Sequence, residues 1–276
     1  MRVEMRVEEQ LNQAVVVVMG SRKVVRSVLN HLKSGKVLGV GGDVYQAGPA
    51  SGSTALKYKS YNPSLDKSDF VSILPEMMFA NGNSTRSTGV DFQLIKCRDP
   101  RYFQFRDSYV LLFDSNKALM KYHKATELGR INKIRVKFVP LPPGDNSEIV
   151  YAQYVKNLTA AFESHDLYNE KSKMKQSFER GKIDLNVLRE RVRPIEERSA
   201  LVWNLPFDVK PHDLIDRFWF YDIKHCFKLY WDASTGATLY YLAFNDASDC
   251  VKFKRNFHGV YFEDELHMKL LVETLG

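Results

Sequence analysis

The sequence predicts an α+β protein: two β-α-β-β-α-β modules joined by a helical connector. Three observations carry this expectation. At 276 residues the chain holds two domains of ordinary size. Over residues 199–276 the apolar spacing marks six successive elements, four with the period of a strand and two with that of a helix. Over residues 54–142 a second set of segments repeats the same order.

In the C-terminal set, 199–205 is a short apolar strand that Pro206 ends. Residues 210–221 have helical spacing, with Leu214, Ile215, Phe218 and Trp219 as the apolar face. Residues 223–231 alternate as a strand, Phe227 and Leu229 on one side and Lys224, Lys228 and Tyr230 on the other. A turn at 232–236 leads into a strand at 237–244. Asn245 or Asp246 then caps a helix that runs through Cys250, Val251, Phe253 and Phe257 to Gly259. Residues 267–272 close the module as a strand.

Upstream, 55–61 is a strand and 64–77 a helix with Leu65, Phe70, Val71 and Leu74 inward. Strands follow at 90–98 and 108–113. A helix starts at Ser115-Asn116 and carries Leu119, Met120 and Tyr122. The last strand spans 134–139 before Pro140. Between the modules, Val150, Tyr154, Leu158, Ala161 and Phe162 mark the apolar side of a connector helix. The order within each module is the ferredoxin-like arrangement used by RNA-recognition motifs.

The expected organisation is therefore an upstream module at 54–142, a connector at 143–198 and a C-terminal module at 199–276. Ahead of them, Arg22, Lys23, Arg26, Lys33 and Lys36 alternate with Val24, Val25, Val28, Leu29 and Leu32, and no acid occurs between Met19 and Asp43. A basic, acid-free amphipathic helix of this kind is the signature of a mitochondrial import peptide. Residues 19–53 are accordingly read as an import-type segment and linker. Met19 is expected to be the natural start, and residues 1–18 an extension of the gene model.

Composition narrows the function. The formal net charge of +7 favours a polyanionic partner such as RNA or anionic lipid. Cys97, Cys226 and Cys250 are too scattered for a disulfide framework or a metal site. No P-loop, nucleophile elbow, H-E-x-x-H or dinucleotide-binding motif occurs. No catalytic residue, metal or cofactor is expected, and no apolar run reaches the length of a membrane span.

RNA-recognition motifs stack bases on aromatics of the central strands while cations hold the backbone. The C-terminal octapeptide position, 237–244, keeps only Tyr241 of the two usual stacking rings. Trp203 shares the face of the first strand, so Trp203 and Tyr241 form a shifted platform flanked by Lys228 and Tyr230. Upstream, alternation yields charge instead. Lys133, Arg135 and Lys137 fall on one face of the last strand, and Lys57 and Lys59 on one face of the first. Those strands are neighbours in this fold, so five cations converge and Arg106 adds a sixth. The competing reading is a protein-interaction scaffold whose faces bind proteins, and a connector helix covering the C-terminal sheet would favour it.

Several runs resemble a known family: 58–63 (YKSYNP), 72–76 (SILPE), 91–94 (DFQL), 98–105 (RDPRYFQF), 130–137 (RINKIRVK), 218–221 (FWFY) and 253–259 (FKRNFHG). They are similar to the yeast mitochondrial translational activators of cytochrome c oxidase subunit 3, from about Arg22 to the C-terminus. The resemblance implies a matrix protein peripherally associated with the inner membrane. It implies action on the leader of the subunit 3 message, with two other subunit-3-specific activator proteins and the mitochondrial ribosome as partners. It also implies help in splicing a group I intron of the subunit 1 transcript. It assigns no catalytic or binding residue.

Overall fold

The computed structural model describes residues 52–75, 91–173, 183–262 and 265–276, which all fall in one compact unit, 48–276. The import-type segment and the expected start at Met19 lie outside the described residues.

In β1 (Ala55–Lys59), Leu56 and Tyr58 point into a core while Lys57 and Lys59 point out. α1 (Lys67–Ser72) opens on a capping box. The Asp66 carboxylate accepts from the amides of Ser68 and Asp69, and the Asp69 carboxylate accepts from the Asp66 amide. These bonds satisfy donors that a helix start leaves open. β2 (Gln93–Arg98), β3 (Phe105–Leu112) and α2 (Asn116–Ala125) follow, with Ser115 Oγ capping α2.

The expected strand at 134–139 is instead interrupted. β4 (Arg130–Ile131) and β5 (Ile134–Arg135) form a two-residue hairpin around Asn132 and Lys133. Both turn residues have positive φ (52° and 67°), the conformation that twists a tight hairpin correctly. Val136 then returns to the core and β6 (Phe138–Pro140) completes the sheet. Its order is β2-β3-β1-β6, antiparallel throughout. The hairpin leaves Ile134 68% exposed, where alternation placed it inside.

The C-terminal sheet has the order β12-β7-β9-β8, built from β7 (Ser199–Trp203), β8 (Ile223–Trp231), β9 (Thr238–Phe244) and β12 (Leu271–Thr274). The closing strand expected at 267–272 is divided: its first residues belong to β11 (Glu265–Lys269), which pairs with β10 (Tyr261–Phe262), and only its end belongs to β12. Two helices, α6 (Pro211–Arg217) and α7 (Ala247–Phe257), cover one face. In chain order these are the sixth and seventh helices, since three others lie in the connector. α6 stops before Trp219, which stands 67% exposed on a 3-10 turn, because Phe218 and Tyr221 take the inward sites against Phe253 and Phe257.

The connector contains α3 (Ser147–Glu163), α4 (His165–Lys173) and α5 (Leu185–Glu196). Each sheet buries one face under its own helices. The connector packs on the faces left over, against Ala55, Ile95 and Val110 of the first sheet and Leu201, Leu239, Tyr241 and Ala243 of the second.

Candidate nucleic-acid interface

The first question for a nucleic-acid interface is which sheet surface is open. On the C-terminal sheet the answer is clear. Tyr241 is 0% exposed, with the rings of Phe227 and Phe103 at 5.2 and 5.7 Å. Its hydroxyl lies 2.8 Å from Ser199 Oγ, which donates to the Ile195 carbonyl. Burial pushes the Tyr241 phenol well up. The expected Trp203–Tyr241 platform is thus a buried seam: Trp203 is half-buried against the same cluster. Opening this face would expose side chains worth about 1.5–3 kcal/mol each.

The flanking ring, Tyr230, is exposed but turned edge-on to Tyr102 at 5.9 Å. A register shift between Lys228 and Tyr230 separates it from Lys228. Lys228 pairs with Tyr240, which points to the helices, whereas Tyr230 pairs with Leu239, which points to the connector. A bulge of this kind re-aims side chains, and alternation across it fails. The Lys228 ammonium donates to the Phe207 carbonyl at 2.8 Å and lies 5.8 Å from the Trp231 ring centre.

Part of the cover comes from the first sheet itself. The 99–104 loop between β2 and β3 puts Phe103 into the second sheet's cluster, against Tyr154, Tyr168 and Tyr241. Asn157 Nδ2 donates to the Pro100 carbonyl at 2.8 Å, and the Tyr168 hydroxyl donates to that of Arg101. Beside it, Arg98 is fully buried. One guanidinium nitrogen donates to the Phe103 carbonyl (2.9 Å) and to Glu273 Oε1 (2.8 Å), and the other to the Leu275 carbonyl (3.0 Å). A strand of the first sheet is thereby tied to the last strand of the second.

The first sheet is covered over β2, β3 and Ala55 at the head of β1, but open from Lys57 onward in β1 and along β6. Lys57 and Lys59 are exposed there, and the Lys59 ammonium lies 5.7 Å from the Tyr61 ring centre. Leu56 faces Pro140 and Tyr58 faces Phe138, so the next step of the register sets Lys59 opposite Lys137, which is also exposed. Lys133 and Arg135 do not join them. They sit on the β4–β5 hairpin, where Arg135 Nε donates to the Glu127 carbonyl at 3.4 Å. Arg106 is held by Asp99 at 2.6 Å. Burial opposes ionisation of Asp99, but Arg106 and the amides of Tyr102 and Arg101 outweigh it and keep the carboxyl below its usual range. Of the six upstream cations, three therefore share the open ridge: Lys57, Lys59 and Lys137.

Sequence reasoning missed Lys96 and Arg98. Both were visible as cations within the otherwise apolar run of β2, but a register shift between them hides which face each takes. It also missed two outward aromatic pairs, Trp219–Phe220 (3.6 Å) and Phe207–Trp231 (5.3 Å). Among the described residues no His/Cys/Asp/Glu group could hold a metal, and no helix is long and apolar enough to cross a membrane.

Residues 52–158 match the family described as Protein PET54 N-terminal domain. The chain is 40% identical to Protein PET54 of Saccharomyces cerevisiae, over 89% of this chain and 90% of that protein. It is 39% identical to Protein PET54 of Saccharomyces bayanus, over 90% of each. Among solved structures, the third RNA-recognition motif of Mip6 covers 28% of this chain and 93% of its own, at 18% identity and a TM-score of 0.25. A likeness at that score carries no argument, and the fold stands on the strand orders above.

Proposed function

The chain belongs to the PET54 family, and from that membership we propose that it is a mitochondrial RNA-binding translational activator of the cytochrome c oxidase subunit 3 message. It acts on the 5′ leader of that message and has a second role in splicing a group I intron of the subunit 1 transcript. The carrying observation is the 40% identity over nearly the full length of both chains. Its work is binding, without catalysis. We read the two sheets as ferredoxin-like modules of the RNA-recognition-motif type, at 54–142 and 199–276, with 143–198 as their connector.

The geometry favours a division of labour. With Tyr241 buried and Trp203 half-buried against the same cluster, the Trp203–Tyr241 platform is closed to bases. The open ridge of Lys57, Lys59 and Lys137, with Tyr61 beside it, suits the phosphate backbone of single-stranded RNA. The scaffold reading is favoured for the C-terminal module by one observation. Its large exposed rings, Trp219, Phe220, Phe207 and Trp231, lie outside the buried sheet face, and aromatics of this type anchor protein interfaces. The other subunit-3-specific activators and the mitochondrial ribosome are the partners this surface would meet, in the matrix and at the inner membrane.

The test is binding of the chain to the subunit 3 leader across a salt series. Removing one phosphate-binding cation flattens the slope of log K against log[salt] by roughly 0.7 for a single strand. The triple variant K57S/K59S/K137S is expected to flatten it by about 2. Equal slopes in variant and wild type would move RNA binding off this ridge, and no binding by wild type would leave only the scaffold reading.

A further inference from the structure

Where the first sheet meets the start of α3, the covering helix does not close on the strands. A cavity of about 280 Å³ remains there. Lys57 of β1, Lys96 of β2, and Arg106 and Ser108 of β3 line it from the sheet side. Asp145 and Ser147, at the N-terminal end of the 17-residue helix α3, line it from the other.

The charges are not balanced within the protein. Arg106 is paired with Asp99, and Arg98, which also reaches the cavity wall, is paired with Glu273. Asp145 is the one carboxylate on the wall, and its oxygen already accepts from the Ser147 amide and hydroxyl. Lys57 and Lys96 make no direct ion pair or hydrogen bond among the described residues, although Glu273 and Glu196 act on Lys96 through space. Arg98 Nε is buried without a partner as well. A helix start adds a partial positive charge to these cations. A half-buried lysine with no direct ion pair, whose nearby carboxylates Glu273 and Glu196 are already taken by Arg98 and the Tyr154 hydroxyl, is costly to fold around, and a ligand anion offsets that cost.

We propose that this cavity binds one phosphate group of the RNA backbone, held by Lys57 and Lys96 against the N-terminal end of α3. The inference rests on the RNA-binding reading above and extends it to one site. The cavity is continuous with the ridge through Lys57, so a strand of RNA lying along β1 reaches both.

Lys96 gives the site a signature. Burial brings its ammonium down to about 8; Arg98 and Lys254 push the same way, while Glu273 and Glu196 push back. The folded pKa lies below the free value, so the folded chain holds fewer protons between the two. Stability therefore rises with pH from about 8 up to the free lysine range, and the cost of the charged form is full at pH 7. Lys96→Met is accordingly expected to raise Tm at pH 7, with the gain fading above pH 10. A bound phosphate reverses the preference and favours the charged form.

The experiment uses the full chain and the subunit 3 leader RNA. Lys96→Met is expected to weaken binding about tenfold, the size of one charge-assisted hydrogen bond, although the variant is the more stable protein. Wild-type affinity is expected to fall as pH rises from 7 to 9, and that of Lys96→Met to stay flat. Should K59S/K137S weaken binding while Lys57→Met and Lys96→Met do not, the cavity is not an RNA site and the ridge reading survives. No RNA binding by wild type overturns both. Protection of Lys96 from acylation by inorganic phosphate, but not by the leader, would make it a small-anion site and overturn the assignment to RNA.

Discussion

Replacing Arg98 with Met lowers the stability of the folded chain by about 3–5 kcal/mol, the cost of removing one member of a buried ion pair. The Arg98 side chain is 1% exposed and that of Glu273 21%, so the carboxylate left behind is only partly rescued by water. The carbonyls of Phe103 and Leu275 lose their donors in the same step. Arg98→Lys rescues little, because a single ammonium cannot span three acceptors that the planar guanidinium reaches from two nitrogens. Adding Glu273→Gln to Arg98→Met recovers part of the loss, since it removes the stranded charge. Urea unfolding of the four proteins measures these differences. A loss below about 1 kcal/mol for Arg98→Met would place the pair among surface-like bridges that contribute little.

Phe103→Ala has an effect of similar size, about 3–5 kcal/mol for a fully buried ring. Phe103 has a φ of +59°, which a bulky residue rarely adopts. The strain is carried because the ring fills the space between Tyr154, Tyr168 and Tyr241. Alanine keeps the unfavourable φ and loses the ring. Both sheets retain their own cores under their own helices, so the expected result is a loosened connector with two separate unfolding steps. Amide exchange in α3 should accelerate in the variant while β3 and β9 stay protected. A single cooperative transition with unchanged exchange in α3 would mean that the loop does not fasten the two sheets.

Much of this architecture could be read from the residues. The strands β1, β3, β7 and β9 were expected close to where they occur, and Ser115 and Asp246 ahead of helical runs marked helix starts. The failures share a cause. Alternation assumes an unbroken strand, and three strands are broken or shifted. The Asn132–Lys133 turn splits the last strand of the first sheet, a register shift separates Lys96 from Arg98, and another separates Lys228 from Tyr230. The first and last move a cation off the face that alternation gave it, and the second hides which faces Lys96 and Arg98 take.

Tyr241 is a different case. Its outward-facing position on β9 was legible, since it lies on the face away from the sheet's own helices. That this face is closed depends on Phe103, more than a hundred positions away in the chain, and on Tyr154 and Tyr168 of the connector. No local pattern encodes that packing. The ridge cations Lys57 and Lys59 were placed rightly outward because β1 is regular over its whole length.

RNA is expected to follow the open edge of the first sheet and to leave the C-terminal sheet face alone. Photo-cross-linking of the subunit 3 leader to the full chain, read out peptide by peptide, is the direct test. Cross-links should fall in peptides carrying Lys57, Lys59, Tyr61 and Lys137, and none at Trp203 or Tyr241. Cross-links concentrated at Trp203 and Tyr241 would instead show that the connector lifts off to expose the sheet, and would overturn the assignment of RNA to the first sheet.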